Sequence, residues 1–165
     1  MYQRILVPFD ASATSTKGLE EAIQLATLSG GHIRLVHVVE VMKYATGFET
    51  CAAYISEVIP VMKREGHAIL DKGKHLAEKA GLTVDTLLLE SMGSRVSDLV
   101  VQEARAWDAD VIVLGTHGRR GVGRFLLGSD AEQVLRLSPV PVLLVRGGKD
   151  VEKLAETTSL AAPER

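Results

Sequence analysis

The chain has 165 residues, of which 46% are hydrophobic and 24% charged, proportions that fit one globular domain and exclude disordered, collagen-like and low-complexity classes. A formal net charge of −2 and only 4% aromatic residues give no global pull toward nucleic acid or anionic lipid and little platform for base stacking. No apolar run approaches the roughly 20 residues of a membrane helix, the opening Met1-Tyr2-Gln3-Arg4-Ile5 lacks a signal peptide's build, and the single Cys51 allows neither an internal disulfide nor a cysteine zinc cluster. A cytoplasmic protein is expected.

Arg4 to Phe9 is a short apolar run, the pattern of a strand buried on both faces. Asp10 to Ser15 is a small polar loop, after which Leu19, Ala22, Ile23 and Ala26 recur at helical spacing until Gly30-Gly31 ends the helix. Ile33 to Val39 is strand-like, and Glu40 to about Cys51 shows no period and reads as a loop. A long helical pattern then places Ile55, Ile59, Met62, Ile69 and Leu76 on one face and ends near Gly81.

The second half repeats the rhythm. Leu82 to Leu89 predicts a strand, Gly93-Ser94 a turn, and Val96, Leu99, Val100 and Ala104 the apolar stripe of a helix. Asp110 to Leu114 is a strand, Gly115 to Gly128 a glycine-rich loop, Ser129 the start of a short helix, and Val140 to Val145 the last strand. Residues 147–165 lack a core-facing period and are expected to form a flexible tail behind a domain at 1–146.

Apolar strands alternating with helices imply an α/β fold: a single doubly wound domain, its five-stranded parallel sheet covered by helices on both faces. Ligands of such folds sit beyond the carboxyl ends of the strands, where strand order reverses. The loop after Phe9, the strand end at His37-Val38 and the loop after Leu114 can supply that crevice.

The segment from Leu114 to Ser129 leaves a buried strand, uses five glycines and enters a helix. Glycines let backbone amides approach an anion without an intervening Cβ, and a helix start adds free N–H groups and a positive dipole end. This is the physical makeup of a phosphate cradle. It is not a P-loop, because Ser129 stands where the lysine belongs, and no Gly-x-Gly-x-x-Gly follows the first strand. The spacing present is Gly115-x₂-Gly118-x₉-Gly128-Ser129.

With that spacing the sequence resembles the universal stress protein family, specifically its ATP-binding branch. The resemblance extends to Ile5-Leu6-Val7-Pro8-Phe9-Asp10, His37-Val38, Asp110 to Gly115, and Ser138-Pro139-Val140-Pro141-Val142-Leu143-Leu144-Val145. It implies a Rossmann-like fold of the adenine nucleotide alpha hydrolase type. It also implies that Gly115, Gly118, Gly128 and Ser129 hold ribose and phosphates, with Asp10 near them. Pro8 and Phe9 would form the pocket wall, the backbone of Val38 would pair with the adenine edge, and Leu114 would pack nearby. The implied ligand is ATP, with Mg²⁺ or Mn²⁺ carried on the phosphates and no metal ligand assigned to the protein. One departure stands out: Asp130 and Ala131 follow Ser129 where many members have a small or apolar residue and then a hydroxyl. A carboxylate there opposes phosphate by roughly 1 kcal/mol when solvated, which Arg119, Arg120 and Arg124 can offset.

Structural roles compete for several of these residues. Ser129-Asp130-Ala131-Glu132 reads as a capping box with Ser129 as N-cap. The glycines can also shape an empty turn, and the three arginines a solvated loop. His117 fits a loop-positioning hydrogen bond better than a proton shuttle. His37 fits a satisfied core histidine, Asp108 and Asp110 caps, Trp107 a packing residue, and Cys51 an unreactive thiol. His67 and His75 lack a partner at metal-ligand spacing.

Pro141 cannot donate to a sheet ladder, which assigns the last strand to an edge. The family resemblance implies a homodimer through that strand, with Val140, Val142 and Leu144 as its contacts, besides an unidentified protein partner. The function expected is a nucleotide-dependent stress-response sensor or switch; the alternative is a dimeric interaction module that holds no nucleotide. Enzymatic activity is expected to be slow ATP hydrolysis at most, because no P-loop lysine neutralises a γ-phosphate and only Asp10 and His117 could act as bases.

Overall fold

The computed structural model describes residues 2–42, 54–116 and 127–146. Strand β1 (Arg4–Pro8) is buried through Ile5, Leu6 and Val7. Helix α1 (Ala13–Ser29) starts where the Ser12 hydroxyl accepts the Ser15 N–H, and stops where Gly30 turns left-handed at φ 67° and returns its N–H to the Ala26 carbonyl. Strand β2 (His32–Glu40) follows. A π-helical turn at Tyr54–Val58 leads into α2 (Ile59–Lys79), with Pro60 just past the junction of the two. Then come β3 (Val84–Ser91), α3 (Val96–Ala106), β4 (Val111–Gly115), α4 (Ser129–Leu137) and β5 (Val142–Val145).

The strands form one parallel sheet in the order β3-β2-β1-β4-β5. Alternation of side chains sorts the core into two layers. Ile5, Val7, Ile33, Leu35, Val111 and Val113 pack under α1 and α2, with Leu19 and Ile69 above them. Leu6, Val36, Ile112 and Leu114 pack on the opposite face under α3 and α4, with Val100 and Val134. The expected doubly wound α/β architecture is the one observed, and the order reverses between β1 and β4. Among the described residues no helix is long and apolar enough to cross a membrane.

Two sequence readings need correction. The buried stripe of α2 is Gly66, Ile69, Leu70, Gly73 and Ala77, whereas Ile55 is 58% exposed and Leu76 36%. The helix lies so close to the sheet that a Cβ on Gly66 would sit 2.6 Å from Leu88 Cδ1, and one on Gly73 2.9 Å from Leu35 Cδ1 and the Phe9 ring. Small residues therefore face inward and some large ones face out. The last strand is also shorter than expected, since Val140 and Pro141 precede β5. It does form an edge, but the Pro141 carbonyl faces β4 and accepts the Ile112 N–H at 3.0 Å. The missing proline N–H thus falls at the strand's entry rather than on its open side.

The end of the sheet opposite the crevice is tied by polar contacts. Asp110 Oδ2 accepts the N–H groups of Gln3 at 2.7 Å and Arg4 at 2.8 Å, and these bonds hold its carboxyl below the usual range. The Arg34 guanidinium lies 4.5 Å above the Trp107 ring and donates to Glu103 at 2.8 Å and Asp85 at 3.2 Å. Burial pushes the Asp85 carboxyl up, but hydrogen bonds from His32 and Arg34 outweigh it and leave the group below its ordinary value. Trp107 and Asp110 are structural, as the sequence suggested, and Asp108, at φ 50°, turns the chain after α3.

Candidate functional site

The carboxyl ends of β1, β2 and β4 meet where strand order reverses, and six of the nine site residues expected from the sequence, Pro8, Phe9, Asp10, Val38, Leu114 and Gly115, lie along the chain there. After Pro8, which is half-buried, the chain leaves the sheet. Phe9 donates its N–H to the Val36 carbonyl at 2.8 Å, the last rung between β1 and β2. Its ring turns into the α1/α2 layer and is 3% exposed, so its side chain belongs to the core and its main chain borders the crevice. The Phe9 carbonyl accepts from His37 Nδ1 at 2.8 Å, which fixes the proton on that ring nitrogen.

Asp10 folds back on the start of α1. Its Oδ1 accepts the Ser12 N–H at 2.9 Å, and its own N–H points to Ser15 Oγ at 3.4 Å. Between them Ala11 takes a left-handed conformation, φ 59°, a shape that strains a residue bearing a Cβ. The tight turn sets Asp10 and the first turn of α1 beside the end of β4.

Val38 lies two residues past the β1–β2 rung at Val36. Alternate residues of a strand direct their main-chain groups to the same neighbour, so the Val38 N–H and C=O face the side that β1 has already left. That is the geometry an edge-on heterocycle needs from a backbone. On the other side Val38 pairs in register with Leu89.

At the end of β4, Leu114 is buried in the α3/α4 layer and Gly115 meets α1 directly. A Cβ on Gly115 would lie 2.7 Å from the Thr14 carbonyl, so this glycine is required by packing as well as by any ligand. Thr116, 7% exposed, donates its N–H to the Val145 carbonyl at 2.9 Å, and its own carbonyl accepts the Gly128 N–H at 2.8 Å. Gly128 and Ser129 are thereby returned to the end of β4. Gly118, His117 and the three arginines of this loop lie outside the described residues, as does Cys51.

The capping box expected here does not form. Gly128, not Ser129, is the N-cap of α4: its backbone is extended (φ −59°, ψ 145°) and its carbonyl accepts the Glu132 N–H at 2.9 Å. Ser129 is the first helical residue, and its exposed hydroxyl makes no capping bond. Gly128 as N-cap has no side chain to cap the first turn, whose N–H groups lie at the place where the phosphates were expected. Asp130 stands exposed in the same turn.

The family model of the universal stress proteins matches residues 1–146. The chain belongs to that family. It is 34% identical over 150 residues to the universal stress protein MJ0531 of Methanocaldococcus jannaschii, covering 90% of this chain and 85% of that one. Among solved structures, MJ0577 superposes with a TM-score of 0.75 at 26% identity, covering 88% of this chain and 96% of that one. The universal stress protein of Archaeoglobus fulgidus in complex with dAMP gives a TM-score of 0.62 at 25% identity, with 87% and 98% covered.

Two further residues shape the site although the sequence pattern did not single them out for it: Thr116 closes the loop and Ser15 supports the Asp10 turn, while His37, expected at the strand end, holds the Phe9 carbonyl. Each acts through a hydrogen bond to main chain, which leaves no signature in residue spacing.

Proposed function

We propose that this universal stress protein binds ATP in the crevice and acts as a nucleotide-dependent stress-response sensor or switch, as a homodimer paired through β5. The observation that carries the reading is the return of Gly128 to the Thr116 carbonyl. It sets the first turn of α4 and the exposed Ser129 hydroxyl at the carboxyl end of the sheet. The amides of a helix start and a hydroxyl there suit phosphate oxygens. In this reading the backbone of Val38 gives a donor and an acceptor to the adenine edge, and Asp10 serves the ribose and phosphate region. The Archaeoglobus fulgidus relative, solved with dAMP, supports an adenine nucleotide as ligand.

In this reading Mg²⁺ or Mn²⁺ comes in on the triphosphate, held by phosphate oxygens and water. When bound, the metal would neutralise phosphate charge. This chain's own contribution is to orient the nucleotide through main-chain groups. Hydrolysis in this reading is slow at most, because Asp10, the candidate base among the described residues, is engaged at the Ser12 N–H.

The second reading, a dimeric interaction module without nucleotide, draws on Asp130 in the phosphate-facing turn. Calorimetry with Mg-ATP separates the two: heat and a saturating isotherm support the sensor, and their absence leaves the module. For the dimer, Val142 and Leu144 are half-buried against the α3/α4 layer, Val140 precedes the strand, and Leu143 is 42% exposed. An apolar edge strand with an open ladder is the surface a second copy would pair with.

A further inference from the structure

Thr116 stands between the two features on which the proposed function rests. Its carbonyl receives Gly128, the residue that closes the glycine loop and caps α4. Its N–H holds the Val145 carbonyl, the last residue of β5. Both bonds belong to one residue, so its two backbone dihedrals relate the position of the loop's end to that of the strand's end.

The side of β5 that would meet a partner follows from the same bonds. The carbonyls of Pro141 and Val145 both face β4, accepting from Ile112 and Thr116. Alternation then turns the main-chain groups of Val142 and Leu144 to the open edge. Strand β5 has only four residues, so the Thr116–Val145 rung restrains a large part of it. Loss of that rung frays the residue directly after Leu144 and blurs the edge that a second copy must match.

We infer that nucleotide occupancy of the crevice and pairing of the β5 edge are thermodynamically linked through Thr116, each favouring the other. A ligand that fixes Gly128 and Ser129 restrains the Thr116 carbonyl, orders the Val145 rung and presents Leu144 in extended form. Part of the ordering that dimerisation requires is then already complete. Reciprocity requires the dimer to bind nucleotide more tightly than the monomer by the same factor. The inference rests on the nucleotide and dimer reading given above, and its test separates the two.

The experiment measures the dimer dissociation constant of the full chain by sedimentation, with and without saturating Mg-ATP, while calorimetry on the same samples reports whether the site is filled. Where the native dimer is too tight to dissociate, Leu143→Lys at the exposed centre of β5 brings it into range. The linkage predicts a dissociation constant at least fivefold lower with nucleotide, the lower bound of ordinary coupling. An unchanged constant with the site demonstrably filled overturns the linkage and leaves the nucleotide reading intact. Absence of calorimetric heat overturns both, and a chain that stays monomeric with nucleotide bound overturns the linkage together with the dimer.

Discussion

Gly115 and Thr14 touch through their backbones: a Cβ on the glycine would lie 2.7 Å from both the carbonyl carbon and oxygen of the threonine. This contact seats the start of α1 against the end of β4. Gly115→Ala has no room without moving α1. It is expected to destabilise the fold by roughly 1–3 kcal/mol, as overpacking of a tight contact does. The urea midpoint checks this, and an unchanged midpoint would show that α1 yields freely.

Asp130 shares the first turn of α4 with Ser129. Removing a solvated like charge near phosphate is worth roughly 1 kcal/mol, about a fivefold change in affinity. Asp130→Asn is expected to tighten Mg-ATP binding by about that factor. Titration calorimetry on both proteins checks it; equal or weaker affinity in the variant would place the carboxylate away from the ligand.

Ala11 holds φ at 59° between Asp10 and Ser12. Relief of that strain, partly offset by the greater freedom of glycine in the unfolded chain, makes Ala11→Gly stabilising by roughly 0.5–1 kcal/mol. A β-branched residue suffers more in this conformation, so Ala11→Val is expected to destabilise. Thermal melts of the pair should move in opposite directions.

The lowered carboxyl of Asp110 carries a pH dependence whose sign is fixed. Its folded pKa lies below its unfolded value, so as pH drops the unfolded chain takes up the proton first. The stabilisation is complete above about pH 4, the ordinary aspartate range, and is lost as pH falls through the folded value. Asp110→Asn should therefore narrow the stability gap between pH 7 and pH 3, as followed by urea midpoints. A gap as wide as the native one would mean that other carboxylates dominate acid unfolding.

Much of this structure was legible in the sequence because both its periods were plain. The runs Arg4–Phe9, Ile33–Val39 and Asp110–Leu114 became the three central strands within a residue or two, and Gly30 ended α1 as expected. The face of α2 was misread because large apolar residues were taken as the inward set. Gly66 and Gly73, one heptad apart, were the available signal: their lack of a side chain lets the helix close on Leu35, Phe9 and Leu88. The start of α4 at Ser129 was read correctly, but its cap was misassigned by one residue because Ser129 has the usual capping chemistry, yet Gly128, held by Thr116, takes the extended conformation first. Pro141 suggested an edge strand, and β5 is one, although the proline's own carbonyl faces inward. Main-chain partners such as Thr116 and the carbonyl of Phe9 were invisible, since hydrogen bonds of the backbone depend on topology rather than residue type.

The central claim is that the turn between β4 and α4 grips the phosphates of an adenine nucleotide. Gly128 is the place to test it, because its dihedrals, φ −59° and ψ 145°, lie in a region that valine also occupies without strain. Calorimetric titration of Mg-ATP into the native chain and into Gly128→Val is the most direct measurement. Saturable heat with the native protein and none with a folded valine variant is the predicted result. No heat with the native protein, or equal binding by both, would contradict it.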